Sequence, residues 1–334
     1  MKLDTPSELD RERRALPTTE GGAVRIKDVH IGARTRFIVW LFRKFLRPVL
    51  GWMLNGGDGR IARVQLWLAS RVCVDTSGLP LEYVVLGRVP GHLLGSIADT
   101  SRRVVLYLHG GAFVLPAVPE THVTFVSRLC RDLDAIGFLP DYRLGPFNKY
   151  PAALDDCERA YEALLQLGFD PRKIVVAGES AGGNLLLGML QRIRRRGWPM
   201  PSCAIPISPA TEMGRMHAPP SRATRYRKDP LLPMVALHKV DEMYARGADA
   251  SDPELSPLYA DLRGFPPLYL LVSDNEILLD DTVLFARRAQ GAGLDVQFEV
   301  WPIVPHAFPL FARFMPEVRQ ARTDIVAFAK RYLA

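Results

Sequence analysis

Beyond residue 80 the chain alternates two patterns. Short runs of consecutive apolar, often β-branched residues predict strands at 81–86, 104–108, 135–139, 174–177, 204–207, 268–272 and 296–300. Between them, apolar positions recurring every three or four residues predict helices over 121–133, 152–167, 182–196, 280–292 and 317–333. A strand that is apolar on successive residues is buried on both faces, so the alternation predicts a largely parallel sheet with helices on either side. The interval 211–264 breaks this rhythm with a Pro-rich stretch and one amphipathic helix near 234–244, as an insertion lying over the sheet would. Ahead of the sheet, 34–73 predicts two helices interrupted at Asn55-Gly56-Gly57-Asp58-Gly59, and 1–30 reads as a weakly structured leader. The division is therefore 1–30, a helical segment 31–75, and an α/β domain 76–334.

Charge follows the same division. The chain has 43 Lys+Arg against 36 Asp+Glu, a net charge of +7. Residues 31–73 hold eight cations (Arg34, Arg36, Arg43, Lys44, Arg47, Arg60, Arg63 and Arg71) and a single anion, Asp58, so this segment carries the whole excess. A balanced remainder offers no extended basic surface to follow phosphates, which argues against nucleic acid as a partner. The stretch 37–54, FIVWLFRKFLRPVLGWML, is apolar enough to suggest a membrane span. Each of its three cations would cost about 2.5–3.5 kcal/mol near a bilayer centre, which argues against spanning. At about 100° per residue, Arg36, Arg43, Lys44 and Arg47 fall on one helical face opposite a Phe/Leu/Val/Trp face. Such a helix lies on a membrane surface or covers an apolar pocket, and peripheral membrane contact through 34–54 is one expectation. Cys73, Cys130, Cys157 and Cys203 form no CxxC and suit neither a disulfide framework nor a metal cluster. Reduced thiols in a cytoplasmic protein are expected, and the first 30 residues contain no secretory signal.

The strongest chemical signal is Gly178-Glu179-Ser180-Ala181-Gly182, set between the strand and the helix of KIVVAGESAGGNLLLGML. A serine nucleophile needs a tight strand–turn–helix elbow that lifts its hydroxyl above the sheet, with glycine flanks that let the turn close. VVLYLHGGAF ends an earlier strand on His109-Gly110-Gly111. Acyl transfer develops an oxyanion that backbone N–H groups stabilise, and the amides of Gly110, Gly111 and Ala181 are the expected donors. His109 reads as a buried brace for that loop. A nucleophilic serine also needs a base and a group to orient it. His306, in the Pro-flanked loop after the last strand, is better placed than His30, His92, His122, His217 or His238. The acid should follow strand 268–272, where SDNEILLDDT offers Asp274, Glu276, Asp280 and Asp281. Strand-end geometry favours Glu276 or Asp274, and Asp280 and Asp281 read as solvated first-turn acids of the next helix. Seven scattered histidines with no HExxH pairing suggest no metal site.

These pieces stand in the order nucleophile, acid, histidine. With DYRLGP (141–146), YPAALDD (150–156) and SPLYADLRGFPPLYLLV (256–272), the chain from about residue 80 onward resembles the hormone-sensitive-lipase-like (bacterial family IV) esterases of the α/β-hydrolase fold. The resemblance implies an α/β fold with a mostly parallel central sheet flanked by helices, and an N-terminal helical cap to which 210–250 contributes. It maps the nucleophile onto Ser180, the base onto His306 and the acid onto Glu276, with Asp274 and Asp280 as alternatives. Departures are Ala112 at the fourth position of the family's HGGG, Glu179 for Asp in GDSAG, Phe147 where DYRLAPE has Glu, and EILLDD for DPLRDE.

The expectation is thus a hydrolase of short-to-medium acyl esters that uses no cofactor and takes a small-molecule ester or lactone. The alternatives are a lactone hydrolase of the same family, or a catalytically silent small-molecule or lipid binder on the same fold. A homodimer is compatible with the sequence.

Overall fold

The computed structural model describes residues 26–72, 75–213 and 219–334. Most of the expected leader, Cys73 and His217 lie outside the described residues.

Eight strands form one sheet: β1 (Leu81–Leu86), β2 (Val89–Leu94), β3 (Arg103–Leu108), β4 (Ala135–Pro140), β5 (Ile174–Glu179), β6 (Cys203–Ile207), β7 (Leu268–Ser273) and β8 (Val296–Trp301). Their spatial order is β1-β2-β4-β3-β5-β6-β7-β8. β2 pairs antiparallel with β1 and β4, and every pairing from β4 to β8 is parallel. The sequence pattern finds seven of these strands and misses β2. VPGHLL carries a Pro and a Gly, which usually punctuate strands, and only pairing on both sides holds it extended.

Both faces of the sheet are buried, and the alternation along β3 shows how. Val104, Leu106 and Leu108 point into one core, Val105 and Tyr107 into the other. The first core is closed by α5 (Ala152–Gln166), α6 (Ala181–Arg196) and α9 (Leu279–Gly291), the second by α4 (His122–Leu133) and α10 (Arg319–Tyr332).

Ahead of the sheet, α1 (Ala33–Leu41) continues through a π-helical turn at Phe42–Leu46 into α2 (Arg47–Leu54), and α3 (Asp58–Ala69) follows the expected Gly-rich break. Leu54 of α2 and Ile61, Val64 and Leu68 of α3 share a small core with Val114, Leu115, Ala236 and Met243. The 211–264 insertion supplies α7 (Pro220–Thr224) and α8 (Met234–Val240), the latter ending in a second π turn, Asp241–Ala245. Gly51 of α2 lies close to Pro233 and Val235 at the start of α8, so the N-terminal helices rest on the insertion.

Candidate active site

All chemically distinctive residues gather at the C-terminal edge of the parallel strands, where α/β sheets open a crevice for ligands. β5 ends at Glu179 and α6 starts at Ala181, leaving Ser180 alone in the turn at φ 57°, ψ −119°. Its N–H donates to Ile207 O at 2.9 Å, and its carbonyl accepts from Asn184 N–H at 3.1 Å, so backbone bonds hold the strained residue in place. The elbow closes only because position 182 is glycine, since a Cβ there would overlap the Leu108 carbonyl oxygen of the neighbouring strand.

His306 lies in the loop after β8 and is 4% exposed. Its Nδ1 is 2.6 Å from Glu276 Oε2, and its Nε2 has no hydrogen-bond partner among the described residues. The other carboxylate oxygen of Glu276 accepts from Ser208 Oγ and from the Ser273 N–H, both at 2.8 Å. Burial works against the imidazolium, but the charge and hydrogen bond of Glu276, helped by Asp229 and Glu179, outweigh it and hold His306 above its ordinary value. The other acid candidates face elsewhere. Asp274 accepts the Ile303 N–H at 2.7 Å and braces the loop leading to His306. Asp280 accepts the Ser221 N–H at 2.6 Å, and Asp281 pairs with Arg222. The expectation that Asp280 and Asp281 are solvated is wrong. Both are buried, because the insertion lays Ser221 and Arg222 of α7 over the first turn of α9.

Gly110 and Gly111 follow β3 next to the elbow. Gly110 does not offer a free amide: its N–H donates to Glu179 Oε1, the longer acid in GESAG. Gly111 adopts φ 124°, open to glycine and hostile to other residues, and turns the chain so that Ala112 lines a pocket with Ser180 and Ala181. The amide expected as a donor at Gly110 is therefore already engaged by Glu179. His109 is the expected brace. Its ring stacks on Tyr142 at 4.2 Å, Tyr142 Oη donates to its carbonyl at 2.6 Å, and burial together with His122 pushes its pKa down to about 4.

Two partners escape the sequence pattern. His122, on α4, places Nε2 2.9 Å from Glu179 Oε1. Burial opposes the Glu179 charge, yet His122 and the Gly110 N–H hold its carboxyl below the usual range. Asp229, from the insertion, accepts the Leu231 and Leu232 N–H groups on one oxygen and the Ile277 N–H, next to Glu276, on the other. Burial and the Glu276 charge, opposed by His306 and these amides, push its pKa up to about 6. Locally Asp229 is one more charged residue after Arg225, Arg227 and Lys228, and that says nothing about a partner 48 positions away.

The pocket beside Ser180 is walled by Phe113, Met213, Leu232, Ala236, Leu237, Val240 and Leu278, with Glu212 and Arg222 as its charged members. Among the described residues, no three His, Cys, Asp or Glu side chains converge as metal ligands would, and no helix is long and apolar enough to cross a membrane.

The chain is similar to known α/β hydrolases and esterases. A sequence profile of the α/β hydrolase fold matches residues 105–310. The esterase LipU of Mycobacterium tuberculosis is 37% identical over 270 residues, covering 79% of this chain and 88% of LipU. An acetyl-hydrolase of Streptomyces hygroscopicus is 33% identical over 281 residues, covering 84% and 93%. Among solved structures, the esterase EstE5 soaked with p-nitrophenyl butyrate superposes with a TM-score of 0.80 at 30% identity, covering 90% of this chain and 99% of EstE5. An esterase from the bacterial hormone-sensitive lipase family superposes at 0.78 with 29% identity, covering 92% and 100%.

Proposed function

Because the chain belongs to the hormone-sensitive-lipase-like esterases of the α/β-hydrolase fold, and so is a carboxylic-ester hydrolase, we propose that Ser180 is its nucleophile, His306 its general base and Glu276 the acid that orients His306. Neutral His306 takes the Ser180 proton on Nε2 as Oγ attacks the ester carbonyl, and Glu276 stabilises the imidazolium that results. The N–H groups of Gly111, Ala112 and Ala181 receive the oxyanion, with the positive end of α6 behind them. Gly110 is left to Glu179, a contact that fixes the oxyanion loop to the elbow. The imidazolium then protonates the departing alcohol, and water attacks the acyl-enzyme with His306 as base again.

What supports this reading most is the state of His306: buried, one nitrogen fixed by Glu276, the other unpartnered at the sheet edge that carries Ser180. The largely apolar walls beside Ser180 suit short-to-medium acyl chains, and Glu212 and Arg222 among them disfavour long ones. Hydrolysis of p-nitrophenyl esters from acetate to laurate should give the highest kcat/KM between butyrate and octanoate. A fluorophosphonate probe should label the wild type and leave Ser180→Ala unlabelled. Equal labelling of the two would overturn the nucleophile assignment.

A further inference from the structure

The helical segment ahead of the sheet turns aromatic side chains outward. Phe37, Trp40, Phe45, Val49 and Trp52 are spaced so that, carried across the π turn at Phe42–Leu46, they follow one side of the α1–α2 rod, and each is between 45% and 62% exposed. The rings run on into one another, Phe37 stacked on Trp40 at 5.8 Å and Trp40 edge-on to Phe45 at 6.3 Å. Nine of the sixteen exposed large apolar side chains among the described residues fall between 37 and 72. This is not the side by which the rod docks on the protein. Val39 lies in the second core, Phe42 meets Phe311 edge-on at 5.0 Å, and Leu54 packs on Val114 and Leu115.

The same segment carries the excess of cations. Among the described residues, Arg34, Arg36, Arg43, Lys44, Arg47, Arg60 and Arg63 have no carboxylate partner; Arg71 alone pairs, with Glu120. Arg43 and Arg47 donate to the backbone carbonyls of Lys228 and Tyr226, which ties them to the insertion without a carboxylate to neutralise them. Arg60 sits over Trp52 at 5.0 Å. The helix has apolar side chains on two sides, an inner set docked on the body and an outer strip of rings.

We propose that this face docks on an anionic lipid surface, its rings entering the boundary between headgroups and acyl chains and its cations meeting lipid phosphates. Exposed aromatic residues on a segment with an excess of Arg and Lys match that interface in both polarity and sign. A second copy of the chain is a poor occupant, because a symmetric contact would bring an eight-cation segment against itself. The face also sits next to the pocket. α2 rests against the start of α8, and Ala236, Leu237 and Val240 of α8 line the cavity beside Ser180. Docking would bring that roof to the bilayer, so the esters reaching Ser180 would be ones dissolved in the membrane. Only this last step rests on the proposed nucleophile.

The test is sedimentation of the full chain with vesicles of phosphatidylcholine alone and with about 30 mol% phosphatidylglycerol. Partitioning onto the anionic vesicles should be at least about tenfold stronger and should weaken with salt. Phe37→Ser/Trp40→Ser/Phe45→Ser should lose binding by at least about tenfold, with unchanged circular dichroism and unchanged turnover of a water-soluble ester. In the wild type, bromine-labelled acyl chains should quench tryptophan fluorescence, a readout that needs no variant. Equal partitioning onto the two vesicles, full binding by the triple variant, no quenching, or a solution dimer that the triple variant dissolves would each overturn the proposal. Failure of Ser180→Ala to abolish turnover would leave the docking result standing and remove only its link to the active site.

Discussion

His306 is buried, yet it must change charge in every cycle. Burial alone would lower its pKa; the Glu276 charge at 2.6 Å reverses the sign. Since the base acts only when neutral, kcat/KM should fall as pH drops through a value above the ordinary histidine range near 6.5. Glu276→Gln removes the main raising influence, so the acid limb should move to lower pH while kcat falls by about three to four orders of magnitude. Asp274→Asn, which touches only Ile303 N–H and the loop behind it, should keep kcat within about threefold. The opposite ranking in a pH–rate series would transfer the acid role. Asp229 stands one step further back. Asp229→Asn keeps the size but must turn an amide N–H toward at least one of three backbone donors, so the Ile277 turn beside Glu276 loosens. We expect a kcat lower by about tenfold, KM little changed, and an acid limb moved down because one negative charge near His306 is gone. Steady-state kinetics across pH would separate this from a purely structural defect, which would lower the active fraction without moving the limb.

The strand–elbow–helix unit of β5 and α6 was legible because its constraints are local. Apolar strand, glycine, small residue and helical period all stand within about twenty positions. The same holds for the diglycine after β3 and for the chain order of Ser180, Glu276 and His306. What stayed illegible depends on partners far away in sequence. β2 is extended only by its neighbours, Gly110 loses its amide to a residue 69 positions on, and Asp280 and Asp281 are buried by an insertion some 59 positions earlier. Gly182→Ala tests the local part. A Cβ there would overlap backbone of β3, which cannot yield without parting the sheet, so the variant should lose more than about 4 kcal/mol and yield little folded protein. Gly291→Ala, at the open end of α9, should leave the urea midpoint nearly unchanged. Equal midpoints for the two variants would mean that β3 and α6 are less closely packed than described.

At the scale of the molecule, the basic helical segment is held to the neutral body at points remote in sequence. Glu317, just ahead of α10, accepts the Gly32 N–H at 2.8 Å at the start of α1 and also bonds the Thr35 hydroxyl. α1 has no side-chain cap of its own and no acid in its first turn, so Glu317 serves both needs across 285 positions. Partial burial opposes the Glu317 charge, but Thr35 and the backbone amides outweigh it and lower its pKa. A carboxyl depressed on folding stabilises at pH above its unfolded value, about 4.3, and loses that contribution as pH falls through the lower folded value. Glu317→Ala should therefore cost about 1–2 kcal/mol at neutral pH, and the difference from wild type should shrink below about pH 4. Because the bonds tie α1 alone, amide exchange should rise across 33–54 while β3 and β5 stay protected. Exchange rising uniformly through the sheet would show that helical segment and body unfold as one unit. Release confined to the first helices would instead leave Ser180 and His306 assembled beneath a loosened roof. KM for long-chain esters would then change before kcat for acetate did.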